Sequence, residues 1–285
     1  MPMLEMQMPE VALAPGTIEY EDTGGDGPVL VFVHGLTMDG SVWDDVVAGL
    51  APAYRCIRPV LPLGGHRIPM HADANLDLLA LGLLLGEFLE RLDLHDVTIV
   101  QNDWGGAQVL IANGSTDRIA RLVLTACEAY DNYPPGLPGT MLGIMLRAPG
   151  GLRALLFGLK FTLARRAPGS WGWMSKRPVP KAMMDSWFEP ATSNALVRRD
   201  LRKYALSTPA DSILLQWAES NSAFDKPVLV VWGTEDKVMP IEHGRRLSRL
   251  YPNARLIELD DTYTLIPIDK PAELTSAIID FVPLR

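Results

Sequence analysis

Cysteine is scarce in this chain: Cys56 and Cys127 are the only two among 285 residues. One stands at the start of an expected strand and the other at the end of one, so both read as buried thiols, and nothing demands an oxidising compartment. Long apolar runs are lacking too. Residues 78–86 are too few to span a bilayer, and residues 141–163 are interrupted by Arg147, Pro149, Arg153 and Lys160, so neither stretch is expected to be a transmembrane helix. Residues 1–7 carry an acid and have neither a basic start nor an apolar core, which reads as no signal peptide and makes the cytoplasm the expected compartment. Lysine and arginine form no block and the net charge is −8, which argues against nucleic acid or an anionic membrane surface as partner. Asp236 and His243 are not at metal-ligand spacing, and the Gly24, Gly25, Gly27 cluster precedes a strand where phosphate-cradling loops follow one. No metal and no cofactor are expected.

What is present is core-forming material. Apolar residues make up 48% of the chain, enough for one large α/β domain carrying an insertion. A strand is expected near Thr17, then strands over 29–34, 55–60, 97–101, 121–125, 228–232 and 255–259. Helices are expected over 41–50, 76–92, 105–113, 241–250 and 272–281. This alternation predicts a mostly parallel central sheet flanked by helices. After Cys127 the pattern breaks, and residues 130–223 offer only helical segments separated by Pro-Pro, Pro-Gly and Trp-rich pieces. The expected organisation is a core of residues 1–129 and 224–285 with a helical cap inserted at 130–223. No internal repeat or low-complexity tract is present.

The chemistry gathers where apolar runs stop. The β-branched run from Val97 ends in Gln101, Asn102, Asp103, Trp104, Gly105 and Gly106. An acid followed by Trp and two glycines reads as a strand–turn–helix elbow that carries a carboxylate on a sharp turn. A carboxylate so placed can displace a leaving group from carbon and form an ester. The plain alternative is a strand ending in an Asn-Asp turn. The run from Val29 stops at His34–Gly35, and that from Val228 stops at Gly233, Thr234, Glu235 and Asp236. Together these runs resemble the α/β-hydrolase superfamily over nearly the whole chain. Within it, the elbow is similar to that of the haloalkane dehalogenase and epoxide hydrolase branch, where aspartate replaces the serine of esterases.

The resemblance implies Asp103 as nucleophile and the backbone N–H groups of Leu36 and Trp104 as oxyanion donors. It implies Asp236 or Glu128 as the acid; the alternatives are a capping residue for Asp236 and a solvated residue for Glu128. The family's base is a histidine seven residues before the proline that opens the last helix. Counting back from Pro271 lands on Thr264, which cannot take a proton from water. Among the five histidines, His66 is the better substitute. His34 is expected to hold the loop beside the oxyanion donors, and His71, His95 and His243 read as surface residues. Trp104 is expected to line the pocket with its indole N–H available to a departing halide. Trp187 and Tyr204, from the 130–223 segment that also holds Trp171, Trp173, Phe188 and Trp217, are further expected pocket residues, as are Tyr263, His34, His66 and Thr264 from outside it.

Three functional readings follow. The first is an enzyme using Asp103 on a small hydrophobic organic substrate, by dehalogenation or epoxide opening, with slow hydrolysis. The second is a non-hydrolytic isomerase or cyclase with Asp103 as general base, and the third is a catalytically silent ligand-binding protein. A monomer or homodimer suits each.

Overall fold

A computed structural model describes residues 8–284; the stretch 1–7 weighed above as a signal peptide lies outside them. In chain order the core begins with strands β1 (Glu10–Leu13), β2 (Gly16–Asp22) and β3 (Val29–Val33). It continues with α1 (Asp44–Leu50), β4 (Arg55–Pro59), α2 (Leu78–Arg91), β5 (Val97–Asp103), α3 (Ala107–Ala112) and β6 (Ile119–Cys127). Six helices follow, α4 (Gly136–Arg147), α5 (Gly151–Gly158), α6 (Thr162–Arg166), α7 (Lys181–Ser193), α8 (Ala195–Leu206) and α9 (Asp211–Ser220). The chain then re-enters the sheet with β7 (Val228–Gly233), α10 (Ile241–Leu250), β8 (Ala254–Leu259), α11 (Ile266–Asp269) and α12 (Pro271–Phe281).

The strands lie in the order β1-β2-β4-β3-β5-β6-β7-β8. β1, β2 and β4 pair antiparallel, and all pairings from β4 through β3 to β8 are parallel. Every residue of β5 and of β7 is buried, as expected of parallel strands covered on both faces, and this is why they read as unbroken apolar runs. β1 escaped the sequence reading because it is short, lies at the sheet edge and opens on exposed Glu10. The helix expected over 41–50 begins as a tight 3-10 turn, Gly40–Trp43, with the Asp39 carboxylate accepting from Ser41 N at 2.9 Å. Cys56 and Cys127 are both buried and free. Among the described residues no helix is long and apolar enough to cross a membrane, and no group of His, Cys, Asp and Glu could hold a metal ion.

Three sets of contacts tie the helical stretch between β6 and β7 to the rest of the chain. Asp200 of α8 accepts from Met70 N at 2.8 Å. The Trp187 indole of α7 donates to Asp39 Oδ1 at 3.1 Å and Ser41 Oγ at 2.8 Å. Buried Asp269 accepts from Ser175 Oγ, Lys176 N and Arg177 N at 2.7–3.0 Å. A parallel sheet collects ligands at the carboxyl ends of its strands, and Asp103 ends β5 there while Glu128 directly follows β6.

Candidate active site

The turn between β5 and α3 carries Asp103 at φ 57°, a left-handed conformation that costs a non-glycine residue roughly 1–3 kcal/mol. Its surroundings hold it there. Gln101 Nε2 donates to Glu128 Oε2 at 2.6 Å, and Gln101 Oε1 accepts from Ala107 N at 2.8 Å. Gly106 N donates to Glu128 Oε1 at 3.1 Å, and Glu128 N to the Asp103 carbonyl at 3.2 Å. Gln101 and Glu128 thus bracket the elbow from both sides. Glu128 is buried here, which corrects the solvated alternative. Gln101 went unassigned in the sequence, although a polar side chain closing an apolar run is the signal that marks it.

Glycine at position 35 has a specific cause. A Cβ there would stand 1.9 Å from Asp103 Oδ2, so only glycine lets the carboxylate reach the adjacent backbone. Leu36 N donates to Asp103 Oδ2 at 3.0 Å. Burial pushes Asp103 up to about 7; the Leu36 and Trp104 N–H groups pull it down and neighbouring Asp236 pushes it further up.

Asp236, past the end of β7, accepts on Oδ1 from Val238 N and Met239 N, both at 2.9 Å, and from Thr264 Oγ1 at 2.8 Å. Its Oδ2 is buried without a hydrogen-bond partner among the described residues. Burial raises Asp236 to about 6, against the pull of the Met239 and Val238 N–H groups and the Thr264 hydroxyl. Burial likewise raises Glu128 to about 8, with Gln101 opposing. Among the described residues no ion pair reaches Asp103, Glu128 or Asp236. Thr264 is fully buried, with its carbonyl accepting from Asn102 Nδ2 at 2.8 Å. Asn102 immediately precedes Asp103, so the threonine is tied to the elbow as well as to Asp236.

Among the described residues no histidine is hydrogen-bonded to the Asp103 or Asp236 carboxylate. His34 Nε2 accepts from Leu61 N at 2.9 Å while Nδ1 meets the Gly35 carbonyl at 2.9 Å, and burial lowers its pKa to about 4, so the ring is neutral and fixes the loop. His66 accepts from Gly64 N at 3.2 Å and faces Asp200 Oδ2 at 3.4 Å, joining core to insertion. His243, expected at the surface, is half-buried beside the Tyr130 ring, 6.3 Å between centroids.

A cavity of about 430 Å³ opens onto Asp103. Leu36, Thr37, Met38 and Trp104 form its floor, and aliphatic side chains of α4 and α5, among them Leu142, Met145 and Leu155, form much of its wall with Trp171. None of the six further expected pocket residues lines it. His34 and His66 are committed as described, Thr264 turns to Asp236, and Trp187 is held by Asp39 and Ser41. Tyr204 points its hydroxyl at the Trp104 carbonyl, 3.4 Å away, and Tyr263 lies between the Lys176 and Lys237 ammonium groups. Trp104 and Trp171 both line the cavity, and each buries an indole N–H without a partner among the described residues.

The α/β-hydrolase fold family matches residues 28–271, from the first residues of the β3 run to the start of α12. The chain belongs to that family. This α/β-hydrolase-fold chain is 27% identical to haloalkane dehalogenase 2 of Mycobacterium tuberculosis over 283 residues, covering 93% of this chain and 91% of that one. It is 28% identical to the non-heme chloroperoxidase CPO-A1 of Kitasatospora aureofaciens over 253 residues, 84% of this chain and 85% of that. Among solved structures, an α/β-hydrolase-fold protein from Burkholderia ambifaria superposes with a TM-score of 0.75 at 20% identity, covering 96% of this chain and 99% of that one, a likeness of fold alone.

Proposed function

We propose that the protein captures a small apolar organohalide through Asp103, beneath a cap formed by the helical insertion. One Asp103 carboxylate oxygen attacks the carbon that bears the halogen; a C–O ester bond forms, the C–X bond breaks, and its electron pair leaves with the halide. Leu36 N holds the carboxylate and orients it. The observation that carries this reading is that Trp104 and Trp171, each with a buried indole N–H that has no partner among the described residues, both line a largely apolar cavity. Such donors suit an anion that appears only as the bond breaks. Epoxide opening, which needs a donor to protonate the leaving alkoxide, has weaker support, because Tyr204 and Tyr263, the tyrosines expected in the pocket, do not line the cavity. The relatives named as haloalkane dehalogenases support the same choice.

Release of the ester requires water to lose a proton, and Thr264 stands at the position where the family's imidazole would take it. Ester formation therefore outruns hydrolysis. The test is incubation with 1-bromohexane, with intact mass and bromide followed together. A stoichiometric burst of bromide with a hexyl adduct on Asp103, absent in Asp103→Asn, is expected. Rapid multiple turnover without an adduct would refute the stalled-ester reading. The Asp103 pKa near 7 favours a second reading, proton transfer in a non-hydrolytic isomerisation, and the absence of both bromide and adduct would select it.

A further inference from the structure

We propose that the outer face of α4–α6 docks on anionic lipid, turning the cavity mouth toward the bilayer. Between Asp131 and Asp185 the sequence has no aspartate or glutamate yet contains eight lysines and arginines, in a chain whose net charge is −8. Net charge averages over the whole chain and does not register this segment. Four of the eight cations are occupied: Arg165 and Lys181 pair with Asp185, and Lys176 and Arg177 with Asp261. The other four, Arg147, Arg153, Lys160 and Arg166, are exposed and form no ion pair among the described residues.

Large apolar side chains stand among them. Met141 is 54% exposed, Ile144 63%, Phe157 60%, Phe161 59% and Leu163 87%, and the Phe157 and Phe161 rings meet edge-on at 5.8 Å. A single exposed leucine needs no explanation, but a cluster of this size with cations interleaved marks an interaction site. Met141, Ala154 and Pro168 line the cavity and are also exposed, so the cavity opens through this patch.

The charges decide the occupant. A two-fold contact with a second copy would press the same unpaired cations against each other. A bilayer offers phosphate to the arginines and lysine and hydrocarbon to Phe157, Phe161 and Leu163, which is how an interfacial helix face binds. Docked this way, the cavity receives substrates partitioned into lipid, whatever the chemistry at Asp103.

Co-sedimentation of the full chain with vesicles of phosphatidylcholine and phosphatidylglycerol, against vesicles of phosphatidylcholine alone, tests the proposal. Binding is expected only to the anionic vesicles and falls with added salt. Each cation near such a surface strengthens binding about fivefold, so Arg153→Glu with Lys160→Glu weakens it by more than about 25-fold. Phe157→Ser with Phe161→Ser also weakens it, while Arg249→Glu on α10 leaves it unchanged. All substituted side chains are exposed, and circular dichroism verifies that the variants fold. Failure to bind anionic vesicles, or binding indifferent to both double substitutions, overturns the proposal. A dimer that the Phe157 and Phe161 substitutions dissociate, with no vesicle binding, overturns it in favour of self-association.

Discussion

On the proposed mechanism, replacing Thr264 by histidine supplies a base for ester hydrolysis beside Asp236. Asp236 Oδ1 receives the Thr264 hydroxyl at 2.8 Å, and Oδ2 has no partner among the described residues, so an imidazole N–H would find an acceptor waiting. A positioned general base contributes about 10²- to 10⁴-fold, and decay of the Asp103 ester in Thr264→His is expected to quicken by that factor. Position 264 is fully buried, and the larger ring costs roughly 1–3 kcal/mol of stability through overpacking. The assay is rapid-quench mass spectrometry of the hexyl ester after a single burst with 1-bromohexane, with thermal unfolding in parallel. Bromide release in the burst itself is expected to stay unchanged, because the base acts after the C–X bond has broken. A variant that folds with its burst intact, yet whose ester decays less than tenfold faster, would refute the assignment of the stall to Thr264.

Trp104→Phe and Trp171→Phe each remove one indole N–H from the cavity wall; a hydrogen bond to an ion contributes about 1.5–3 kcal/mol, so each is expected to slow the bromide burst about 10- to 100-fold in stopped-flow measurements. Trp187→Phe removes donation to Asp39 and Ser41 and is expected to cost about 1 kcal/mol in urea unfolding while leaving the burst unchanged, since the ring lies off the cavity. Asp103 and Glu128 have folded pKa values raised to about 7 and about 8, so the folded state holds protons that the unfolded state releases, and stability falls as pH rises toward those values. His34, lowered to about 4, works oppositely but only below its ordinary value of 6.5. Three raised carboxyl groups, with Asp236 at about 6, outweigh the one histidine, so the melting temperature is expected to drop as pH rises from about 5 to 8 and to level off above, with a shallower slope in Glu128→Gln. Residual ester decay in the unmodified protein is expected to rise with pH through about 6 and to lose that dependence in Asp236→Asn.

Much of the core was legible because parallel strands buried on both faces must be contiguous apolar runs, and each run ends where a polar residue faces the site. Asp103, Glu128 and Asp236 were found as the residues just past β-branched runs, and the fold brings all three to one sheet edge. The cavity wall was not legible. Leucine and methionine on a helix carry the same signal whether they face a core or a cavity, so Leu142, Met145 and Leu155 left no mark. The aromatic candidates failed for a different reason. A buried Trp or Tyr settles where its polar tip finds an acceptor, and the acceptors of Trp187 and Tyr204 come from chain segments far away in sequence. His66 is captured by Asp200, 134 residues on, a pairing that no local pattern announces.

The same rule identifies what remains reactive. Side chains whose polar atoms are satisfied have structural work, and those left unsatisfied beside the cavity or the elbow are available to a ligand. By that criterion Trp104 Nε1, Trp171 Nε1 and Asp236 Oδ2 are open among the described residues, as is Asn102 Oδ1 on the elbow. The two indole nitrogens are donors suited to a departing anion, and the Asp236 oxygen is an acceptor suited to a proton from water. On the proposed mechanism Asp236 has the pKa of a base, raised to about 6, but Val238, Met239 and Thr264 pin its Oδ1, so it lacks the freedom with which an imidazole between acid and ester would meet water.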